Sequence, residues 1–94
     1  MTYESVIIFS PQLDEEALEN AINRVQEVIK NGGGEIIKAD RWGKRRLAYE
    51  IKDFTEGYYL LVETNAPSSA VQELDRVLRI SDDVIRHMII RLNT

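Results

Sequence analysis

The sequence predicts an α+β domain with the ferredoxin-like split βαβ sandwich, in which a four-stranded antiparallel sheet of spatial order 4-1-3-2 carries two helices on one face. Strand-like and helix-like hydrophobic spacings follow one another as β-α-β-β-α-β, over a length typical of one domain, residues 1–94. Each helix lies in a crossover of about thirty residues, and right-handed crossovers leave few other topologies. The second strand is therefore expected at an edge, and one face of the sheet without helix cover.

The first strand and first helix are marked by composition and by caps. Residues 3–9, YESVIIF, are rich in β-branched and aromatic types, as in a strand. Asp14 is a good helix N-cap, and the glycines of NGGG, residues 31–34, predict the end of the helix. The apolar residues between them recur every three or four positions, which predicts one buried helical face: Leu18, Ala21, Ile22, Val25, Val28 and Ile29.

The next two strands are predicted to form a hairpin. An extended region over residues 35–52 is interrupted at Gly43, where we expect a bulge or kink. After it, Leu47, Tyr49 and Ile51 alternate with polar neighbours, as in a half-buried strand. DFTEG, residues 53–57, is predicted as the turn, and residues 58–64 as the third strand.

The second helix and fourth strand complete the order. Pro67 suits the first turn of a helix, and Ser69 with Gln72 predicts a capping box. The buried stripe of this helix is predicted to be Val71, Leu74, Val77 and Leu78, and residues 84–92 form the last strand. Alternation assigns five residues to the helix-free face: Tyr59, Leu61, Arg86, Met88 and Ile90. The opposite face of the last strand is predicted to hold Ile85, His87 and Ile89.

Composition excludes several classes of protein. Without cysteine the chain has neither disulfides nor thiolate metal sites, which fits a reducing compartment. Its start lacks the basic region and long apolar run of a signal peptide, and no segment has the length of a membrane span. We therefore expect a cytoplasmic protein with no membrane association and no cofactor.

Positive charge is concentrated on the predicted edge strand. The net charge is −4, yet residues 38–52 hold six basic and two acidic side chains, which leaves +4 there and −8 elsewhere. Charges on an edge strand can simply discourage wrong strand pairing. A bias to one sign, beside Trp42 and Tyr49, favours phosphate contacts with aromatic packing. An edge can also dock the backbone of another protein, and these uses can coexist.

The residues offer little support for catalysis. His87 is the only histidine, and its apolar neighbours favour a packed or rim position. The adjacent Asp82 and Asp83 are explained by a loop or a strand cap. The glycines of NGGG follow a helix, whereas phosphate-binding loops precede one. We expect neither an enzyme nor a small-molecule substrate.

The stretch GKRRLAYEIK, residues 43–52, resembles the signature of the bacterial small-subunit ribosomal protein six family. The matching positions are Gly43, Arg45, Arg46, Leu47, Ala48, Tyr49 and Ile51. YES near the start, GYYLL after the hairpin and LRISDDVIRHMIIR near the end are also similar to family segments in order and spacing. The resemblance therefore covers almost the whole chain.

The resemblance implies a structural protein of the cytoplasmic ribosome. Family members bind the central domain of the small-subunit ribosomal RNA together with ribosomal protein eighteen of the same subunit. The implied RNA- or partner-binding residues are Tyr3, Arg41, Trp42, Lys44, Arg45, Arg46, Tyr59, Arg86 and Met88. Among them, the basic residues of the edge would contact phosphate or the partner, Arg86 and Met88 would face RNA, and Tyr3 would pack against a ribose or base. Trp42 would either fill a partner pocket or cover the edge of its own sheet.

Three other functions remain open from the sequence. The first is a sheet-face RNA binder of the RRM type, although the alternating aromatic motif of that class is missing from EGYYLLVE. The second is a regulatory ferredoxin-like domain that binds a small ligand and dimerises through its edge. The third is an acylphosphatase-like enzyme, since fold alone does not define function.

Overall fold

A computed structural model describes residues 1–92, and its elements follow the predicted order. They are β1 (Thr2–Phe9), α1 (Glu15–Asn31), β2 (Glu35–Ile51), β3 (Phe54–Asn65), α2 (Ser68–Ile80) and β4 (Val84–Arg91). The strands form one antiparallel sheet in the order β2-β3-β1-β4, which is the predicted order counted from the other edge. The predicted fold is confirmed, and β2 lies at an edge.

The main core lies between the sheet and the two helices. The central strands contribute Ile7, Leu60 and Val62, which are fully buried. The helices contribute most of their predicted apolar stripes, with Ile22, Val25, Ile29, Val71, Leu74 and Leu78 buried, and α2 adds Ala70, which was not predicted. Burying this apolar area, at roughly 25 cal/mol per Å², is the main force that holds the helices on the sheet.

The caps of α1 follow the sequence prediction. The Asp14 carboxylate accepts a hydrogen bond from the Ala17 backbone N–H at 2.8 Å, which satisfies one free donor of the first turn. After Asn31 the chain turns through Gly33, whose φ of +88° favours glycine. A Cβ on Gly32 would lie 2.5 Å from the Cβ of Ala70, so this glycine also lets the two helices approach closely.

The predicted capping box of α2 is wrong. Pro67 occupies the N-cap position, and no side chain caps this helix. Because the helix begins at Ser68, Ser69 already lies inside the first turn, where its hydroxyl cannot act as an N-cap acceptor.

The predicted turn before β3 is also wrong. The hairpin turns at Lys52 and Asp53, whose φ angles are +50° and +69°, and β3 starts at once with Phe54 paired to Ile51. This two-residue primed turn allows both strands to continue to its edge. Gly57 therefore lies inside the strand, where a Cβ would meet the Ile8 Cγ2 at 2.4 Å, so it is needed for close packing.

One face assignment in β4 is wrong because of a bulge. Phe9 pairs with Val84 but Ile8 pairs with Arg86, so Ile85 is an extra residue. Ile85 packs with Ile8 and Leu47 in a small cluster on the helix-free face rather than facing the helices. Beyond the bulge the alternation follows the prediction, and Arg86 and Met88 lie across from Ile8 and Val6 on the helix-free face.

Candidate nucleic-acid and protein interface

The basic segment of β2 contains two consecutive features, a bulge and then three exposed cations. The ladder shifts between Arg41 and Gly43, where Gly43 has a φ of +82°, so the predicted bulge is confirmed. Lys44, Arg45 and Arg46 follow, and all three side chains are exposed. Within residues 1–92, none of the three is ion-paired with a carboxylate. We call these three residues the basic edge patch.

The strand register distributes the basic edge patch over both faces of the sheet. Arg45 lies opposite Gly57, in the row of the helix-free face that also holds Tyr59. Lys44 and Arg46 lie opposite Tyr58 and Glu56, in the row of the helix-covered face. The patch therefore wraps around the outermost strand, and its charge can be approached from either side.

Arg41 is used within the protein. Its guanidinium forms a two-pronged ion pair with the Glu19 carboxylate of α1, with one N–O distance of 3.0 Å. The hydrogen bonds between them lower the pKa of the Glu19 carboxyl and raise the pKa of the Arg41 guanidinium. Lys38 is likewise paired, with Asp40 at 3.2 Å. The unpaired charge of this edge is thus concentrated in the basic edge patch.

Trp42 and Tyr59 form a stacked aromatic pair on the helix-free face. Their ring centroids are 6.2 Å apart with an interplanar angle of 16°, and the Arg45 guanidinium carbon lies 5.2 Å from the Trp42 ring centroid. Trp42 is still 40% exposed. Of the two roles expected from the sequence, the stacking on Tyr59 corresponds to the second, covering its own sheet, while the exposed part of the ring remains accessible to a partner.

The end of the β2–β3 hairpin bends across the helix-free face towards β4. Between the Arg46–Glu56 and Ile51–Phe54 pairs the ladder is irregular, and Leu47 packs on Ile8 and Ile85. The Tyr49 hydroxyl accepts a hydrogen bond from Arg86, whose guanidinium carbon also lies 5.9 Å from the Tyr49 ring centroid. Because β2 and β4 are the two edges of the sheet, only a curled hairpin can make this contact.

The curled hairpin and β4 enclose a shallow apolar depression of about 250 Å³. Its lining includes Val6, Ile8, Leu47, Tyr59 and Met88. Met88 and Ile90 on β4 are 47% and 43% exposed, which is high for large apolar side chains on a sheet. An exposed apolar area of this kind is typical of a protein-binding surface.

Tyr3 lies elsewhere. Its side chain is only 8% exposed and belongs to the core under the helices, with its hydroxyl donating to the Met1 sulfur at 3.6 Å. The expectation that its ring packs against a ribose or base requires a surface position, so Tyr3 is left out of the interface proposed below. The sequence did not predict that Tyr3 is buried on the helix-covered face, because the residue types near a strand end do not indicate which face a tyrosine occupies.

His87 occupies the rim position favoured by the sequence. Its Nε2 lies 2.8 Å from Asp75 Oδ1 of α2, and its side chain is 15% exposed.

Within residues 1–92, no three acidic or histidine side chains come together as metal ligands. No helix in the same range has the length and apolar character to cross a membrane.

Sequence reasoning did not find the contact between Tyr49 and Arg86. The two residues are 37 positions apart and belong to opposite edges of the sheet. The spacing of Leu47, Tyr49 and Ile51 predicted a half-buried strand, and no local signal indicated that the hairpin curls. The one indication of this contact in the sequence was a tyrosine in one segment and an arginine in the other, since the two side chains can interact.

Comparison with known proteins gives a consistent result. A family model described as Ribosomal protein S6 matches residues 2–91. The small ribosomal subunit protein bS6 of Carboxydothermus hydrogenoformans is 54% identical over 95% of this chain and 93% of its own length. The protein of the same name from Clostridium kluyveri is 51% identical over 95% and 94%. The crystal structure of 30S ribosomal protein S6 from Thermotoga maritima superposes with a TM-score of 0.92 at 37% identity, covering 97% of this chain and 86% of that one.

Proposed function

This chain belongs to the ribosomal protein S6 family of the small ribosomal subunit, and on that premise we propose that it binds the central domain of the small-subunit ribosomal RNA jointly with ribosomal protein eighteen. Members of the family are structural proteins of the ribosome and not enzymes, which confirms two sequence predictions, the absence of catalysis and a location in the cytoplasmic ribosome. The RNA contact, the protein partner and the residues of each are the proposal.

The RNA contact is assigned to the basic edge patch. The observation that carries this assignment is that Lys44, Arg45 and Arg46 are exposed and have no carboxylate partner among residues 1–92, whereas Arg41 and Lys38 are paired. A cation that is already paired gains little from a phosphate, because it must first give up its carboxylate. Arginine can also bind phosphate with two parallel hydrogen bonds.

The protein contact is assigned to the helix-free face. Its exposed surface combines Met88 and Ile90 with the apolar depression and the Trp42 ring, and such surfaces stabilise a complex by removing apolar area from water. The sequence suggested that Arg86 and Met88 face RNA. The apolar surroundings of Met88 favour a protein partner, while Arg86 at the rim is suited to either.

Charge explains why the two contacts would operate together. The chain outside residues 38–52 carries −8 and is repelled by RNA, whereas a basic protein partner would be attracted to it. Once the partner holds the chain on the RNA, the contact of the basic edge patch becomes effectively intramolecular, and the overall affinity rises.

Reversal of charge in the basic edge patch tests the RNA assignment. We expect the variant Lys44→Glu, Arg45→Glu, Arg46→Glu to bind a central-domain RNA fragment, in the presence of ribosomal protein eighteen, about a hundred-fold or more weakly than the wild type. The affinity is measured by filter binding, and circular dichroism with thermal unfolding verifies that the fold is retained.

The matched control carries the same charge change on the helices, Arg24→Glu, Lys30→Glu, Arg76→Glu, at three exposed positions. Its RNA affinity should fall far less, because these positions lie on the helix layer, away from the patch. Equal losses in the two variants would mean that total charge matters rather than the patch. Unchanged binding by the patch variant would refute the assignment.

A further inference from the structure

Met88 presents a thioether at the surface proposed to dock the protein partner. Its side chain is 47% exposed, lies opposite Val6 on the helix-free face and lines the apolar depression. The chain has two methionines and no cysteine, so this is the principal oxidisable sulfur on that face. Exposed thioethers are readily oxidised, and sulfoxide formation disrupts apolar interfaces that contain methionine.

The other methionine lies on a different surface. The Met1 sulfur accepts the hydroxyl hydrogen bond of Tyr3, which belongs to the core under the helices. Met1 is also exposed, so it reports the general reactivity of a thioether in this chain without being part of the helix-free face. It is therefore an internal reference for oxidation at Met88.

We propose that oxidation of Met88 to its sulfoxide blocks docking of the protein partner, which makes assembly of the free chain sensitive to peroxide; this inference rests on the proposed function. Hydrogen peroxide is the oxidant. The sulfur lone pair attacks one peroxide oxygen, the O–O bond breaks, and a new S–O bond forms. The second oxygen leaves as hydroxide and takes the proton of the transferred oxygen, which gives the sulfoxide and one water; the sulfur loses two electrons and the peroxide gains them.

The sulfoxide would be costly in the assembled state. Its oxygen is a strong acceptor that is hydrated on the free chain, and docking would press it against Val6, Ile8 and Leu47, which offer no side-chain donor. Arg86, on the same face of β4, uses one of its five N–H groups on the Tyr49 hydroxyl, and any other N–H that turned to the sulfoxide would itself have to leave water on docking. Docking of the reduced form, in contrast, would cover the thioether and protect it from peroxide.

The test compares the full-length wild type with Met88→Leu, which keeps an apolar side chain of similar volume. Each protein is treated with hydrogen peroxide, and mass spectrometry of its peptides gives the sulfoxide fraction at positions 1 and 88. Binding to purified ribosomal protein eighteen is then measured by titration calorimetry. Each treated protein is compared with its own untreated sample. We expect treatment to weaken binding by wild type about ten-fold or more, to leave the affinity of Met88→Leu at its own untreated value, and to be reversed in wild type by methionine sulfoxide reductases of both stereospecificities.

The possible results separate the two proposals. Unchanged affinity of wild type whose Met88 is fully oxidised would overturn the inference, while the binding of ribosomal protein eighteen, and with it the proposed function, would stand. An equal loss of binding in treated Met88→Leu would also overturn it, because the damage would then lie elsewhere. Failure of untreated wild type to bind the partner at all would refute the proposed function, and the inference with it.

Discussion

At the scale of single residues, a histidine, an aspartate and an arginine connect α2 to the edge strand β4. Asp75 accepts from His87 on one carboxylate oxygen, at 2.8 Å, and from Arg79 on the other. The hydrogen bond from His87 is the main cause of the lowered pKa of Asp75. Burial opposes it as the next effect in size, and the hydrogen bond and charge of Arg79 lower the pKa further. The ionised carboxylate is therefore the form that the fold favours.

The lowered pKa of Asp75 predicts a pH dependence of stability. Since its pKa in the folded state lies below the unfolded value near 4, the stabilisation is complete above about pH 5 and is lost as the pH falls through the folded-state pKa. We expect Asp75→Asn to lower the free energy of unfolding at pH 7 by about 0.5–1 kcal/mol, the usual range for a partly exposed pair. Urea unfolding at pH 7, 5 and 3 measures the difference, which should shrink towards zero in acid.

Glu73→Gln is the control, because Glu73 pairs with Arg76 within α2 and does not reach β4. If the difference in the free energy of unfolding between wild type and Asp75→Asn stayed constant down to pH 2, the assignment of this stabilisation to the ionised Asp75 carboxylate would be contradicted.

In this chain, residue types predicted the role of a side chain better than they predicted which other side chain it contacts. The apolar neighbours of His87 were sufficient to favour a rim position over catalysis. Its partner Asp75, which lies on a different element, could not be identified, since the pairing depends on where α2 crosses the sheet. Arg41 shows the same limit, because its charge was visible in the sequence but its pairing with Glu19 was not.

At the scale of elements, the β2–β3 hairpin is where local prediction and structure differ most. Glycine and charged residues in DFTEG suggested a five-residue turn, yet the chain reverses at Lys52 and Asp53 with both residues at positive φ. Gly57 was read as a turn glycine, but it is present because Ile8 crosses directly over it. A glycine required by close packing between strands cannot be distinguished in the sequence from a glycine required by a turn.

The geometry of this turn predicts a stabilising substitution. Two consecutive residues at positive φ define a primed turn, for which Asn-Gly is the favoured sequence. Lys52→Asn with Asp53→Gly should therefore raise the free energy of unfolding by roughly 1 kcal/mol, because it relieves left-handed strain at two non-glycine residues. The midpoint of urea unfolding should rise with an unchanged slope.

Thr55→Gly serves as the comparison, since it places a glycine in the neighbouring strand, where it should destabilise the protein. Destabilisation by the turn variant would argue against a primed turn.

At the scale of the whole molecule, the separation of charges gives an acidic protein a local basic surface that suits the proposed RNA contact. The molecule measures 34 × 27 × 21 Å, and the Debye length is about 10 Å at 0.1 M salt. The negative charge that lies outside residues 38–52 is therefore screened wherever it is more than this distance from the outermost strand, so the basic edge patch can act locally despite the net charge of −4.

This separation predicts a salt-dependent affinity. If this chain neutralises about four phosphates, it should add about −3 to the slope of the logarithm of the association constant against the logarithm of salt concentration. The slope is measured for the chain with ribosomal protein eighteen on the central-domain RNA, and compared with that of the partner alone. Identical slopes would mean that this chain contributes no phosphate contacts.

The sequence by itself determined the order of elements, the buried helical faces, the edge position of the basic strand and the family. These depend on periodicity, caps, crossover handedness and a contiguous motif, all of which are short-range properties of a chain. Only the tertiary structure decided which cations stay unpaired, where Tyr3 is buried, which face Ile85 occupies and how Tyr49 reaches Arg86. Each of these depends on bulges and on contacts between distant elements, because one extra residue in a strand reverses the face of its side chain and no local pattern records which partner lies across the sheet.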